Sequence, residues 1–383
     1  VKTAPLGDIA KIVSGATPKT GVAEYWDGEV QWATPADLSK LNGPYISETP
    51  RKLTAIGVRS CPTTVLPAGS VLLSSRAPIG HVAINTVPMA TNQGFKSLVP
   101  GPDLDAKYLY YWLKSKTAYL QSLGNGATFK ELSKKTTEQI AVPLPPLPEQ
   151  RRIAAILDHA DALRAKRRQV LTKLDELEQA IFLSMFGHDR ELRSVAELCH
   201  LVVDCVNRTA PVVENVTPYK MLRTTNIRNG AVDTTNVRYV DQAVFEKWNR
   251  RATPRRDDVI LTREAPVGEA GVLLSDDKVF LGQRLMLYRV DAAKMTPDYL
   301  AACFRSPVLQ EQFNRLGSGS TVKHLPLPAC RNFQIPVAPM SDQERFSERI
   351  ASINALRVSL RAQAMSEFGL VGALQSRAFR GEL

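Results

Sequence analysis

The stretch Gly124-Asn-Gly-Ala-Thr-Phe-Lys-Glu-Leu132, followed by Val142-Pro-Leu-Pro-Pro-Leu-Pro-Glu-Gln150, returns 193 residues later as Gly317-Ser-Gly-Ser-Thr-Val-Lys-His-Leu325 and Ile335-Pro-Val-Ala-Pro-Met-Ser-Asp-Gln343. Upstream the match continues with a drifting offset. Ser75-Arg-Ala-Pro-Ile-Gly80 aligns with Arg263-Glu-Ala-Pro-Val-Gly268 at 188, Asn92-Gln93 with Gly282-Gln283 at 190, and Tyr108-Leu109 with Tyr299-Leu300 at 191. Loops of different length in two copies of one fold produce such drift. The period is far beyond the roughly 20 to 50 residues of a solenoid repeat, so the chain is a tandem of two diverged domains.

Each copy runs into a long helical segment. After Pro143-Leu-Pro-Pro-Leu-Pro148, apolar residues fall at Ile153, Ile156, Ala160, Leu163, Val170, Leu174, Leu177 and Ile181, the alternating three-and-four spacing of a coiled-coil seam. The second copy gives Phe346, Ile350, Ile353, Leu356, Leu360, Ala364, Phe368, Val371 and Leu374. Acidic residues open both segments, as the helix dipole favours. A helix of that length needs a partner, and two equivalent units related by a pseudo-twofold axis would lay their helices antiparallel.

Within each copy the pattern is mixed, an α/β (α+β) class. Val71-Leu-Leu73, Val82-Ala-Ile84, Val259-Ile-Leu261 and Val272-Leu-Leu274 read as strands hinged at Ala-Pro-x-Gly turns. Residues 107–123 and 297–316 read as amphipathic helices, with Tyr108, Tyr111, Trp112 and Tyr119 facing a core rather than stacking on bases. The expected division is a module at 1–148, a helix at 149–187, a second module at 188–341 and a second helix at 342–383.

At 383 residues and 44% hydrophobic the chain can fill two cores. No apolar run approaches membrane-spanning length, no signal peptide opens the sequence, and the five scattered cysteines point to thiols in a reducing compartment. The net charge of +11 is concentrated in the modules, +5 in residues 1–148 and +4 in 188–341, with +1 in each helical segment. That is the electrostatic footprint of phosphate contacts.

Catalytic patterns are missing. No Asn-Pro-Pro-Tyr or Asp-Pro-Pro-Tyr quartet occurs, and Gly317-Ser-Gly-Ser-Thr-Val-Lys323 lacks the Gly-Lys-Ser/Thr ending of a phosphate-cradling loop. Asp103, Asp105 and Lys107 read as a surface turn rather than a nuclease set. The histidines stand isolated from any nucleophile or metal partner.

The candidate DNA contacts are basic residues in irregular or repeated positions. In the first module these are Arg51, Lys52, Arg59, Arg76 and Lys130; in the second, Arg223, Arg228, Arg250, Arg251, Arg255, Arg256, Arg263 and Lys323. For Lys130 and Lys323, contact with DNA and capping of the following helix stand open as alternatives. Arg151, Arg152, Arg164, Lys166, Arg167 and Arg168 read as a solvated helix face paired with Asp158, Asp161 and Asp175.

A variable module, a Gly-x-Gly-x-Thr-x-Lys-x-Leu stretch, then Pro-Leu-Pro-Pro-Leu-Pro-Glu-Gln and a long helix, all repeated once, resembles the specificity subunit of Type I restriction-modification systems. The likeness spans the whole chain, although Ala338 and Ser341 stand where the first copy has Pro145 and Pro148, and Met340 where it has Leu147. It implies two target recognition domains, each reading half of a split sequence in double-stranded DNA, with helices that set the spacing. It also implies docking of two modification subunits, expected here at Glu149, Gln150, Ile153, Ile156, Gln343, Phe346 and Ile350. S-adenosylmethionine and adenine methylation would belong to those partners, cleavage to restriction subunits where present, and the setting would be prokaryotic cytoplasm, with no membrane. The rival classes are a self-contained methyltransferase or nuclease, and a coiled-coil scaffold that binds proteins alone.

Overall fold

The computed structural model describes residues 2–380 except 77, 126–129, 188–189, 229 and 317–323. The chain divides into two compact units, Val1–Leu163 with Glu367–Leu383, and Arg164–Ser366. The long helices run over Leu147–Phe186 and Met340–Arg380, starting 193 residues apart like the repeat itself. Each starts two residues before the position expected from sequence, on the second Leu-Pro of the first copy and at Met340 of the second. Each unit therefore contains one module, the start of the helix that follows it, and the end of the other helix.

Unit 1 holds β1 (Thr3–Pro5), β2 (Ala10–Ser14), β3 (Trp26–Ala33), β4 (Tyr45–Ile46), β5 (Lys52–Leu53), β6 (Val71–Leu73), β7 (Val82–Asn85), β8 (Met89–Thr91), β9 (Lys96–Pro100) and β10 (Ala141–Pro143). The main sheet has the order β2-β9-β6-β7-β4, a smaller one β5-β3-β8, and β1 pairs with β10. Unit 2 holds β11 (Leu192–Ser194), β12 (Cys199–Asp204), β13 (Tyr219–Leu222), β14 (Ile227–Arg228), β15 (Gly230–Val232), β16 (Arg238–Tyr239), β17 (Val259–Arg263), β18 (Val267–Val272), β19 (Lys278–Leu281), β20 (Leu285–Val290) and β21 (Gln334–Pro336). Its sheets are ordered β12-β20-β17-β18-β15-β14, β16-β13-β19 and β11-β21. Strand for strand this is the first arrangement again, with β14 added. The central strands β6 and β17 are covered on both faces, so Val71-Leu-Leu73 and Val259-Ile-Leu261 are continuous apolar runs rather than alternating ones. Gly80 and Gly268 end equivalent turns at φ +104° and +87°, where a Cβ would meet Thr117 in one copy and Gln310 with Phe313 in the other.

The helices expected over 107–123 and 297–316 are each broken in two, into Ala106–Ser115 and Thr117–Ser122, and into Pro297–Arg305 and Pro307–Leu316. In the second copy Pro307 supplies no N–H and holds Ser306 extended. Tyr108, Tyr111 and Trp112 are core residues, but Tyr119, beyond the break, is exposed.

Both copies lock the module to its helix with one glutamine. Gln150 Oε1 accepts the Asp105 N–H at 2.9 Å while its amide donates to the carbonyls of Asp103 and Pro145. Gln343 does the same with the Thr296 N–H and the carbonyls of Lys294 and Ala338. Asp105 and Thr296 in turn cap the next helix through Tyr108 N and Tyr299 N. The hydroxyls of those two tyrosines donate to the carbonyls of Pro143 and Pro336, each at 2.9 Å.

In unit 2 the two helices are antiparallel: Glu178 meets Arg357, whereas Phe182 and Phe186, further along the first helix, meet Phe346, earlier in the second. Glu178 and Arg357 are buried, and with Asp175 and Arg305 they form a four-membered charge cluster drawn from three helices. Gly230 makes room for Arg305, since a Cβ there would overlap the guanidinium. In unit 1 Ile153, Ala154 and Leu157 pack with Ala378 and Phe379 in the module core.

The apolar seam read from the sequence is covered over part of its length. Leu163, Val170, Leu177 and Leu356 are 39–49% exposed, while the helix ends serve the module cores. The expected partner-docking residues Gln150, Ile153, Gln343, Phe346 and Ile350 are likewise buried within this chain, because the same side chains fasten each helix to its module. Ile156 is half-buried, and Glu149 pairs with Arg152, which holds its carboxyl below the usual range.

Candidate nucleic-acid interface

In unit 1 antiparallel pairing sets the end of β2 against the start of β9, Ser14 opposite Lys96. Ser74, just past β6, bridges to Phe95 and so brings Arg76 to the same rim of the sheet. There Arg76 and Lys96 flank Glu131, at 4.0 and 3.1 Å, and the exposed Lys130 is next in sequence. The loop after β2 is fastened beside them. Ala16 N–H donates to the Thr91 carbonyl, the Trp32 indole donates to the Ala16 carbonyl, and the Trp26 indole donates to the Lys19 carbonyl. The Arg51 guanidinium lies 3.5 Å above the Trp26 ring, a cation–π contact that presents it next to this loop.

This rim gathers Arg51, Arg76 and Lys130 from the sequence expectations and adds Lys19, Lys96, Thr17 and Gln93. Lys52 opens β5 and is half-buried, and no described side-chain contact ties it to the rim. Arg59 is exposed in the last turn of the helix Ala55–Arg59, and no described contact ties it to the rim.

Unit 2 repeats the construction with different residues. Asp204 ends β12 opposite Met286, and Arg251 pairs with Asp204. Arg284, in the loop before β20, pairs with Glu264 at 2.9 Å, and Glu264 bridges to His324. The Trp248 indole donates to the Arg208 carbonyl, and Arg208 and Thr209 are exposed. Neither Arg208 nor Arg284 stood among the candidates read from sequence.

Other expected arginines brace the fold. Arg263 Nε donates to the Leu325 carbonyl at 2.9 Å, Arg228 to the Thr224 and Ile227 carbonyls, and Arg223 to the Asn236 carbonyl. Arg255 and Arg256 line a cleft with Tyr219 and Phe245, where Arg256 pairs with Asp276 at 3.2 Å. Arg250 is exposed. Lys323 lies outside the described residues. Among the described residues no group of His, Cys, Asp and Glu is arranged to hold a metal ion, and no helix is long and apolar enough to cross a membrane.

The family profile described as the Type I restriction modification DNA specificity domain matches residues 1–174. The Type I restriction enzyme MjaIX specificity subunit of Methanocaldococcus jannaschii is 38% identical over 47% of this chain and 42% of its own length. The MjaVIII specificity subunit of the same organism is 25% identical over 92% of this chain and 85% of its length. The chain thus spans less than two thirds of the first of these relatives. A crystal structure of the Type I restriction-modification S subunit from M. genitalium covers 99% of this chain and 95% of that one, with a TM-score of 0.51 at 12% identity, a likeness of fold.

Proposed function

We propose that this chain, whose residues 1–174 match the Type I restriction modification DNA specificity domain, is a specificity subunit of such a system: it reads a bipartite DNA target, one half-site per module, and brings modification subunits to it. The observation that carries this reading is the duplicated rim. Two diverged modules each present basic side chains beside a fastened loop at the same end of the same sheet, as expected of a surface that holds phosphates and reaches base edges. The modules at 1–148 and 188–341 are the readers. The segments 149–187 and 342–383 connect them and carry the partners. Exposed Val170, Leu177, Leu356 and Val358 of the helices supply apolar surface for that contact, in place of the buried side chains expected from sequence.

In this reading the chain performs no chemistry. Two modification subunits bind S-adenosylmethionine and methylate adenine, and restriction subunits join where the system has them. The site of action is the DNA in prokaryotic cytoplasm. The test is to map methylated adenines across the genome of a host with and without this chain, its modification subunit being present in both. The expected result is one split motif that vanishes with the chain. An unchanged methylation map would overturn the proposal.

A further inference from the structure

Gln93, exposed, and Gln283, half-buried, each make a single side-chain hydrogen bond among the described residues, yet both copies keep them. Gln93 accepts a hydrogen bond from the Thr17 hydroxyl, and Gln283 accepts one from Thr209 at 3.5 Å. The glutamines are 190 residues apart and the threonines 192, while the loops carrying the threonines, Gly15-Ala-Thr17 and Cys205-Val-Asn-Arg-Thr209, differ in length and sequence. Gln150 and Gln343, the other glutamines kept in both copies, are buried and their role in the fold is plain. Gln93 and Gln283 are at the rim, and among the described residues neither has another hydrogen-bond partner.

The loops that present the threonines are held by indole N–H groups in both copies, but from unrelated positions. Trp32, in a strand, donates to the carbonyl one residue before Thr17; Trp248, at the end of the helix Gln242–Trp248, donates to the carbonyl one residue before Thr209. The same fastening reached by different means points to a requirement on the loop and not on the packing beneath it.

Resting on the proposed DNA-reading role, we propose that Gln93 and Gln283 are specificity-determining residues, each taking the major-groove edge of one adenine in its half-site. A carboxamide offers an acceptor and a donor in one plane, which matches the N6 donor and N7 acceptor of adenine. The threonine hydroxyl, donating to Oε1, occupies one of its lone pairs and leaves the second lone pair and the NH2 group for the base. A neutral amide is a poor phosphate ligand, and the cations beside it, Lys19 and Arg51 in one module and Arg208 in the other, suit that role.

The experiment uses the full chain assembled with its modification subunits, and duplexes in which each position of the mapped target is replaced in turn. Gln93→Ala should lower the preference for adenine at one position of one half-site by about tenfold or more, leaving the other half-site as it was. Gln283→Ala should do the same in the other half-site. Gln93→Glu, nearly isosteric, should turn the preference at that position towards cytosine, whose N4 amino group donates to a carboxylate. An equal loss of binding on every sequence, an unchanged motif, or an effect of one variant on both half-sites would each overturn the assignment. A wild-type complex with no sequence preference at all would instead refute the proposed function itself.

Discussion

Glu178→Ala is expected to destabilise unit 2 by about 3–5 kcal/mol, the usual cost of removing one member of a buried ion pair. Glu178 is 2% exposed and accepts from both Arg357, which is buried, and Arg305, whose side chain is 7% exposed. Removing its carboxylate leaves Arg357 with Asp175, at 3.6 Å, as its remaining carboxylate. The desolvation already suffered by Arg357 is then only partly offset. A double change, Glu178→Leu with Arg357→Leu, should be less damaging than Glu178→Ala, because it removes the stranded charge along with its partner. Denaturant unfolding of the full chain checks both. If Glu178→Ala cost less than about 1 kcal/mol, the value of a surface pair, the cluster would not be a buried junction.

Phe346→Ala is expected to cost about 3–5 kcal/mol by the same measurement, the range for deleting a buried aromatic side chain. Its ring meets Phe182 and Phe186 at centroid distances of 5.7 Å, and Phe186 lies 4.8 Å from Tyr299 of the module. The cavity would open where both helices and the module meet. Phe346→Leu keeps most of the volume and should lose much less. Equal, small effects from both would show that the helix end is not seated in the core.

The duplication was legible in sequence because Gly-x-Gly-x-Thr-x-Lys and the Pro…Gln junction recur at a fixed spacing, and both long helices start at equivalent positions. The charge cluster was not legible. Arg305 and Glu178 are 127 residues apart, Arg357 and Glu178 179 apart, and an apolar periodicity passes over a glutamate that faces inward. The neighbours of the seam were not legible for a related reason. Ile153, Phe346 and Ile350 keep helical spacing because they enter module cores, so periodicity reported burial without naming the neighbour. At the rim, basic residues could be counted but not placed. Arg51 is presented there by Trp26, a contact across 25 residues, whereas Arg263 and Arg228 are turned onto backbone carbonyls. The pairing of Gln93 with Gln283 was visible in the alignment of the copies, but its use needed the geometry of two loops that share no sequence beyond threonine.

The most direct test of two independent readers is to exchange residues 1–145 for the equivalent module of a relative with a different target, and to map adenine methylation by the assembled complex. The account predicts a hybrid motif in which one half-site takes the donor's sequence and the other is retained. A complex that is folded and active but whose two half-sites both change, or whose motif does not change at all, would contradict it.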